Sequence, residues 1–127
     1  ELEEMQSFLH SHGFDCTVEG RLGKLARTMA LPNDLHLVFS ELCANLIKYT
    51  AADSQIAIVF KRNHRGIDIQ IRSVIAKAQA DQHITTGLGI SEIQKRVAAA
   101  NGTFSSGPKN GMWISTLYIP LSSMVRR

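Results

Sequence analysis

The stretch that decides the fold is residues 36–50, His-Leu-Val-Phe-Ser-Glu-Leu-Cys-Ala-Asn-Leu-Ile-Lys-Tyr-Thr. In a helix, the spacing of Glu41, Asn45 and Lys48 puts these three polar side chains on one side, one above another. The opposite side is an apolar stripe of Val38, Phe39, Leu42, Cys43 and Leu46. The stretch therefore predicts an amphipathic helix with one buried side and one polar side.

The three polar side chains of this helix have complementary chemistry. Glu41 offers a general base, Asn45 a neutral oxygen ligand for a hard cation, and Lys48 a charge that pairs with phosphate. A nucleoside triphosphate site could use all three. The alternative interpretation is an ordinary surface helix whose polar side chains face water.

Length and composition indicate one globular domain. The chain has 127 residues, 44% of them apolar and 20% charged, and no apolar run approaches the length of a membrane span. It begins at Glu1 without a methionine or a leader, so we expect residues 1–127 to be a single domain from a larger chain, with residues 122–127 frayed.

Charge and cysteine content do not indicate a nucleic acid partner or a cysteine-based motif. The formal charge is +3, but the basic residues are scattered, so no nucleic acid partner is predicted. Cys16 and Cys43 lack a CxxC spacing, and we expect them to be reduced structural thiols.

Hydrophobic periodicity gives the order of elements. Helices are predicted over residues 1–12, over residues 35–49 and from Gly87 up to Asn101-Gly102. Strands are predicted over residues 14–18, 55–61, 67–72, 103–106 and 112–120, the second and third as an antiparallel hairpin. Residues 21–31 are a loose helix or an ordered connection, and residues 74–86 a mobile loop. This order predicts a two-layer α/β (α+β) sandwich, a mixed but largely antiparallel sheet with helices on one face.

Gly87-Leu88-Gly89 opens the last predicted helix. Backbone amides at a helix N-terminus have no intrahelical partner and favour an anion, and glycine lets a phosphate approach closely. Glycines that only permit close helix packing are the alternative interpretation.

Together these features resemble the ATP-binding domain of sensor histidine kinases, in the ATPase superfamily that includes gyrase, the Hsp90 chaperones and the MutL repair proteins. Residues 39–50 look like the N box of that family, and residues 87–97 like its second glycine box and the following helix. Residues 102–103 and 118–121 look like the closing strands. The resemblance covers nearly the whole chain and implies a Bergerat-type ATP-binding fold.

The resemblance implies a role for individual residues. Glu41 matches the catalytic carboxylate near the attacking group, and Asn45 the Mg²⁺ ligand. The loop of residues 74–86 would be a lid over ATP. The residues implied to contact the nucleotide are Asn45, Lys48, Tyr49, Ser73, Thr86, Gly87 and Gly89.

The implied activity is transfer of the ATP γ-phosphoryl group, with Mg²⁺ as cofactor, to a histidine on a separate dimerisation domain. None of the five histidines of this chain matches that phosphoacceptor. The implied partners are that domain and a response regulator, and the homodimer would form through regions outside this chain. The implied location is the cytoplasm, either free or as part of a membrane-bound sensor.

The pattern breaks at the first glycine box of the family, D-x-G-x-G. Here residues 72–77 read Arg-Ser-Val-Ile-Ala-Lys, without the aspartate that accepts a hydrogen bond from the adenine amino group. Such a charge-assisted bond is worth about 1.5–3 kcal/mol, so its loss weakens binding roughly ten- to a hundredfold. Ser73 could hold a water there instead, and bulky Met112 or Trp113 could fill the base pocket.

Two alternatives to a histidine kinase follow. One is a degenerate domain of the same fold, with weak or no ATP binding, acting as an interaction or regulatory module. The other is an anti-sigma-type kinase that phosphorylates a protein serine, which the histidine-kinase-like opening of the chain disfavours.

Overall fold

A computed structural model describes residues 2–20, 29–30, 33–51, 54–75 and 87–126. The helices are α1 (Leu2–Ser11), α2 (Asn33–Tyr49) and α3 (Gly87–Ala99). The strands are β1 (Asp15–Glu19), β2 (Met29–Ala30), β3 (Gln55–Arg62), β4 (Gly66–Val74), β5 (Thr103–Lys109), β6 (Met112–Pro120) and β7 (Val125–Arg126). Five strands form one sheet in the order β1-β3-β4-β6-β5, with β1 parallel to β3 and the other pairs antiparallel. Strands β2 and β7 pair separately.

One hydrophobic core lies between the sheet and the helices. All five residues of the apolar stripe predicted on α2 are buried, and they share a cluster with Ile93 and Val97 of α3 and Met5 and Leu9 of α1. On β3 and β4 every second residue is buried, so one side of the sheet faces the helices. The predicted two-layer α/β sandwich is therefore confirmed.

Helix α3 ends where the sequence predicts, at Asn101-Gly102. The Gly102 amide donates to the Val97 carbonyl at 2.9 Å and the Asn101 amide to Ala98 at 2.9 Å, the pattern of a Schellman motif. Asn101 takes the left-handed conformation with φ 60°. A Cβ on Gly102 would lie 2.2 Å from the Tyr118 carbonyl oxygen, so the chain turns tightly against β6 and returns as β5.

Two strands are longer than the sequence predicts. Strand β5 continues to Lys109, and the connection to β6 is only Asn110-Gly111, both with positive φ, as in a two-residue hairpin. Strand β4 continues through Ser73 and Val74, because these residues pair with Trp113 and Met112 of β6. Ser73 therefore lies within the sheet and not in a loop.

The C-terminal residues, for which the sequence predicts fraying, make hydrogen bonds to distant parts of the chain. Leu121–Ser123 form a 3-10 turn, the Ser123 hydroxyl donates to the Ala100 carbonyl, and β7 pairs with β2. The Leu121 amide also donates to the Arg65 carbonyl at 2.9 Å. These non-local hydrogen bonds hold residues 121–126 in place.

Several predictions concern residues outside the described part of the chain. They include most of the 21–31 connection, residues 76–86 of the predicted loop, and Thr86. Among the described residues, no helix is both long and apolar enough to cross a bilayer.

Candidate functional site

The helix-facing side of the sheet changes from apolar to polar at one corner. Along β4 the buried residues are Ile67, Ile69 and Ile71, and then Ser73. On the same side of the sheet, β6 passes from Leu117 to Ser115 and then Trp113, and β5, beyond it, from Phe104 to Ser106. Ser115 and Ser106 are in register with Ile71, and Trp113 is in register with Ser73. We call Ser73, Ser106, Trp113 and Ser115 the polar corner.

Helix α2 ends beside the polar corner. Thr50, which follows the helix, forms a bridge with Ile75, and the Ala51 amide donates to the Val74 carbonyl at 2.8 Å. These contacts join the C-terminal end of α2 to the last residues of β4. The last turns of α2, which carry Asn45 and Lys48, therefore lie at the same end of the sheet as Ser73.

Helix α3 begins at that same end. After α3 the chain turns back at Gly102 and continues as β5. The helix packs along this strand, where the Gln94 side-chain amide donates to the Phe104 carbonyl at 3.4 Å. Thirteen helical residues span about 18 Å, close to the roughly 20 Å from the start to the end of β5. The Gly87 end of α3 therefore lies level with the end of β5, beside the polar corner.

The polar flank of α2 faces α3. Cys43 lies close enough to Cys16 of β1, on the far edge of the sheet, for that thiol to contribute to raising its pKa. Asn45 follows two residues later and is rotated by about 200° around the helix axis. Its flank of α2 therefore points away from β1, toward the edge of the sheet over which α3 packs.

The described site residues on α2 differ in exposure. Glu41 is exposed, and Asn45, one turn further on the same flank, is half-buried. Lys48 is exposed, and its ammonium nitrogen lies 5.2 Å from the centroid of the Tyr49 ring. Tyr49 itself is buried, at 8% exposure. Carboxylate, amide and ammonium thus lie on one flank of α2, and we call the region between this flank, the start of α3 and the polar corner the cleft.

Ser73 is a buried polar residue of the polar corner. It is 3% exposed, and within the described ranges its hydroxyl has no hydrogen-bond partner, whereas Ser115 and Ser106 bond each other at 2.8 Å. Buried polar groups are nearly always hydrogen-bonded, to protein, water or ligand. A buried hydroxyl that has no partner among the described residues fits a site that receives a polar ligand.

The helix start supplies an anion-binding end to the same cleft. Helix α3 begins at Gly87, so the amides of its first turn, Gly87 to Gly89 among them, lack intrahelical partners. The helix dipole adds partial positive charge at this point. A phosphate-bearing ligand therefore fits this end, while the hydroxyl of Ser73 lies deeper, under the helices.

The described part of the site offers few side chains that could bind a metal ion. Within the described ranges no three His, Cys, Asp or Glu residues come together as metal ligands. Mg²⁺ is commonly held by one or two protein oxygens together with substrate phosphates and water, and not by an all-protein cage. Asn45, half-buried at the cleft, fits that role as a single protein ligand.

The two cysteines are structural, as predicted. Both are free and buried. Burial raises the pKa of Cys43 to about 11, with a smaller contribution from Cys16, and burial also raises the pKa of Cys16. Both thiols therefore stay protonated and unreactive at neutral pH.

The serine pair of the polar corner is absent from the sequence-based site. Its signal is the change from an apolar residue to serine along β5 and β6, which only the register brings side by side. Met112 and Trp113 are the two bulky residues that the sequence offers near a base pocket, and of these Trp113 lies directly opposite Ser73.

Comparison with known proteins supports the resemblance. No protein-family model matches the chain. The sensor histidine kinase YrkQ of Bacillus subtilis (strain 168) is 25% identical over 116 residues, which are 91% of this chain. The chain spans about a quarter (26%) of the length of that curated relative.

Solved structures give the same result for the fold. The catalytic domain of the histidine kinase ThkA, in a nucleotide-free form, superposes with a TM-score of 0.71 over 94% of this chain and 90% of that domain, at 16% identity. The Acinetobacter baumannii histidine kinase AdeS gives 0.64 over 94% of this chain and 60% of its own, at 15% identity. The chain therefore has the fold of a histidine kinase catalytic domain, as the sequence motifs predict.

Proposed function

We propose that this chain is the ATP-binding, catalytic domain of a two-component sensor histidine kinase, which transfers the γ-phosphoryl group of ATP to a histidine on a separate dimerisation domain. The chain covers a quarter of its curated relative. The phosphoacceptor domain, the dimer contacts and any membrane attachment would belong to other parts of the protein. A response regulator would receive the phosphoryl group, and the domain would work in the cytoplasm.

One observation carries the proposal. The polar corner, the last turns of α2 with the half-buried Asn45, and the glycine-rich start of α3 lie at the same end of an otherwise apolar layer. A domain with only a structural role would gain stability by continuing the isoleucine pattern through Ser73. A cleft that combines an anion-binding helix start with a deeper polar pocket suits a nucleoside triphosphate.

Each residue of the cleft would have a separate role in phosphoryl transfer. The amides at Gly87 and Gly89 and the ammonium of Lys48 would hold phosphate oxygens, and Asn45 would be the protein ligand of Mg²⁺. Glu41, exposed at the mouth of the cleft, would take the proton of the attacking histidine. When bound, MgATP supplies the group to be transferred, and positioning and charge neutralisation contribute most of the rate.

The second candidate is a degenerate domain with weak or no ATP binding. The observation that favours it is Ser73, which stands where the family has an aspartate, opposite the bulky Trp113. In that case the fold would serve as an interaction or regulatory module, and the phosphate end of the cleft would be a remnant.

Isothermal titration with a non-hydrolysable ATP analogue and Mg²⁺ distinguishes the two candidates. We expect binding in the micromolar to low millimolar range, and Asn45→Ala should weaken it at least about tenfold. Ser40→Ala is the matched control, because Ser40 is exposed on the other flank of α2 and bonds only the His36 carbonyl. Absence of binding at several millimolar analogue would favour the degenerate module.

A further inference from the structure

We propose that the turn between β3 and β4 binds anionic lipid headgroups and so holds the domain on a negatively charged membrane surface. We call residues 61–65, which read Lys-Arg-Asn-His-Arg, the basic hairpin. It lies outside the cleft, so the inference goes beyond the proposed function and does not depend on nucleotide binding. The charge, exposure, rigidity and position of this hairpin carry it.

Positive charge is concentrated at the basic hairpin. The basic residues of the chain are otherwise scattered, and no other five-residue stretch of the sequence contains three Lys or Arg residues. All five residues of the hairpin are exposed, whereas Phe60 before it and Ile67 after it are only 8% and 2% exposed. The hairpin therefore projects beyond the hydrophobic core, with its charged side chains in solvent.

Four hydrogen bonds hold the backbone of the basic hairpin. The Asn63 side-chain oxygen accepts from the backbone amides of Arg65 and Gly66 at 2.8 and 3.0 Å. The Asn63 backbone amide donates to the Gly66 carbonyl at 3.0 Å, and the Arg65 carbonyl accepts from the Leu121 amide at 2.9 Å. Because these bonds already order the turn, little backbone entropy would be lost when the hairpin binds a ligand.

The cations of the basic hairpin are not neutralised by the described part of the chain. Within the described ranges, none of Lys61, Arg62 and Arg65 forms an ion pair. Asp68 is the register partner of Lys61, and no ion pair joins the two. Three positive charges at one projecting tip therefore create a local field that attracts anions.

The composition of the basic hairpin favours a lipid surface over a protein or a nucleic acid. It contains no aliphatic residue and no Phe, Tyr or Trp. The cores of protein interfaces are depleted of charge and depend on apolar and aromatic anchors, and nucleic acid sites spread many cations along a groove or add stacking rings. An anionic bilayer attracts clustered Lys and Arg through its surface potential and needs no apolar anchor.

The basic hairpin lies at the opposite end of the sheet from the cleft. Strand β4 begins at Gly66, directly after the hairpin, and reaches the polar corner at Ser73. Seven residue steps of an extended strand span about 23 Å. A bilayer in contact with the hairpin would therefore leave the cleft open on the far side of the domain.

Co-sedimentation of the chain with lipid vesicles tests the inference. We expect binding to vesicles of phosphatidylcholine with about 30% phosphatidylglycerol and none to phosphatidylcholine alone. Binding should fall as the salt concentration rises from about 50 to about 300 mM, because salt screens the surface potential. Absence of binding to the anionic vesicles at low salt would overturn the inference.

A charge-matched pair of triple variants tests whether the hairpin is the binding site. One variant neutralises the hairpin, with Lys61→Gln, Arg62→Gln and Arg65→Gln. The control removes the same charge from three exposed cations elsewhere, with Arg72→Gln, Lys95→Gln and Lys109→Gln. Each Lys or Arg near an anionic bilayer contributes about fivefold to partitioning, so the hairpin variant should lose roughly a hundredfold. The control should stay within about threefold of the unmodified chain, because its charges lie more than a Debye length from the lipid.

Equal losses in the two variants would show a general effect of net charge and would overturn the assignment to the hairpin. Tighter binding of the unmodified chain to polyglutamate or to DNA than to anionic vesicles would overturn the lipid assignment.

The orientation of the bound domain is a second, independent test. Trp113 is the only tryptophan of the chain and lies opposite Ser73, at the end of the sheet away from the hairpin. We expect vesicles that contain brominated lipids to bind the chain without quenching its tryptophan emission. Quenching would place the cleft end on the bilayer and would contradict the inference.

Discussion

The two ends of the helix-facing side of the sheet differ in chemistry although the same strands build both. At the start of β4 the layer is formed by Ile67, Ile69 and their partners Ile119 and Leu117, all no more than 4% exposed. At the end of β4 it is formed by the polar corner. The apolar end stabilises the domain by burying apolar surface. At the other end, polar groups that face the cleft replace part of that apolar surface.

The apolar end is where substitution should cost most stability. Ile69→Ala removes a side chain that is 4% exposed in the middle of the core, and we expect a loss of about 2–5 kcal/mol in the free energy of unfolding. Chemical denaturation measures it. Gln70→Ala, on the other face of the same strand, is the control and should change stability by less than about 0.5 kcal/mol. Equal effects of the two variants would contradict the two-layer description.

The close approach at Gly102 should be the next most sensitive point. A Cβ there would lie 2.2 Å from the Tyr118 carbonyl oxygen, so Gly102→Ala should displace β6 and cost at least about 2 kcal/mol. Gly107→Ala is matched to it, because a Cβ at Gly107 meets nothing within 4 Å. Thermal melting of both variants decides the matter, and a Gly102→Ala protein as stable as Gly107→Ala would refute the tight turn.

The buried thiol of Cys43 predicts a pH dependence. Its pKa is about 11 in the folded protein against 9.0 for the ordinary thiol, so the unfolded chain loses this proton first as the pH rises. Stability should therefore fall above pH 9, by about 1 kcal/mol at pH 10 from this group. Urea denaturation at pH 8 and pH 10 should show a smaller pH-dependent loss for Cys43→Ala than for the unmodified chain. Identical losses would argue against the burial of this thiol.

The smallest effect should come from the polar corner. Ser73→Ala removes a hydroxyl that has no partner among the described residues, so stability should be unchanged or rise by up to about 1 kcal/mol. Ser115→Ala is the comparison, because it leaves Ser106 without its 2.8 Å hydrogen bond and should lower stability by about 1 kcal/mol. Denaturant midpoints of the two variants test this, and a loss on Ser73→Ala would mean that the hydroxyl is already satisfied.

The sequence predicts the local features of this molecule well. The apolar stripe of α2 and the helix stop at Asn101-Gly102 follow from periodicity and from backbone conformations that few residues adopt. The sequence also predicts the polar flank of α2, although periodicity gives the position of this flank around the helix axis only approximately. Asn45 lies on the side of the helix, half-buried, and not opposite the apolar stripe.

Features set by pairing between distant residues could not be predicted. The apolar alternation of β4 stops at Ile71, so the strand was expected to end at Arg72, whereas pairing with Trp113 and Met112 extends it to Val74. The two-residue pairing of β2 with β7 leaves no periodic pattern in the sequence. Both concern the ends of strands, where register and not propensity decides.

The most direct test of the account is a nitrogen-15 correlation NMR titration of the chain with Mg²⁺ and a non-hydrolysable ATP analogue. The account predicts shifts of the Gly87 and Gly89 amides, the Asn45 side-chain amide and the Trp113 indole, with little change at Ile67 and Ile69. Shifts confined to the apolar end, or no shifts at several millimolar analogue, would contradict a nucleotide site at the polar corner.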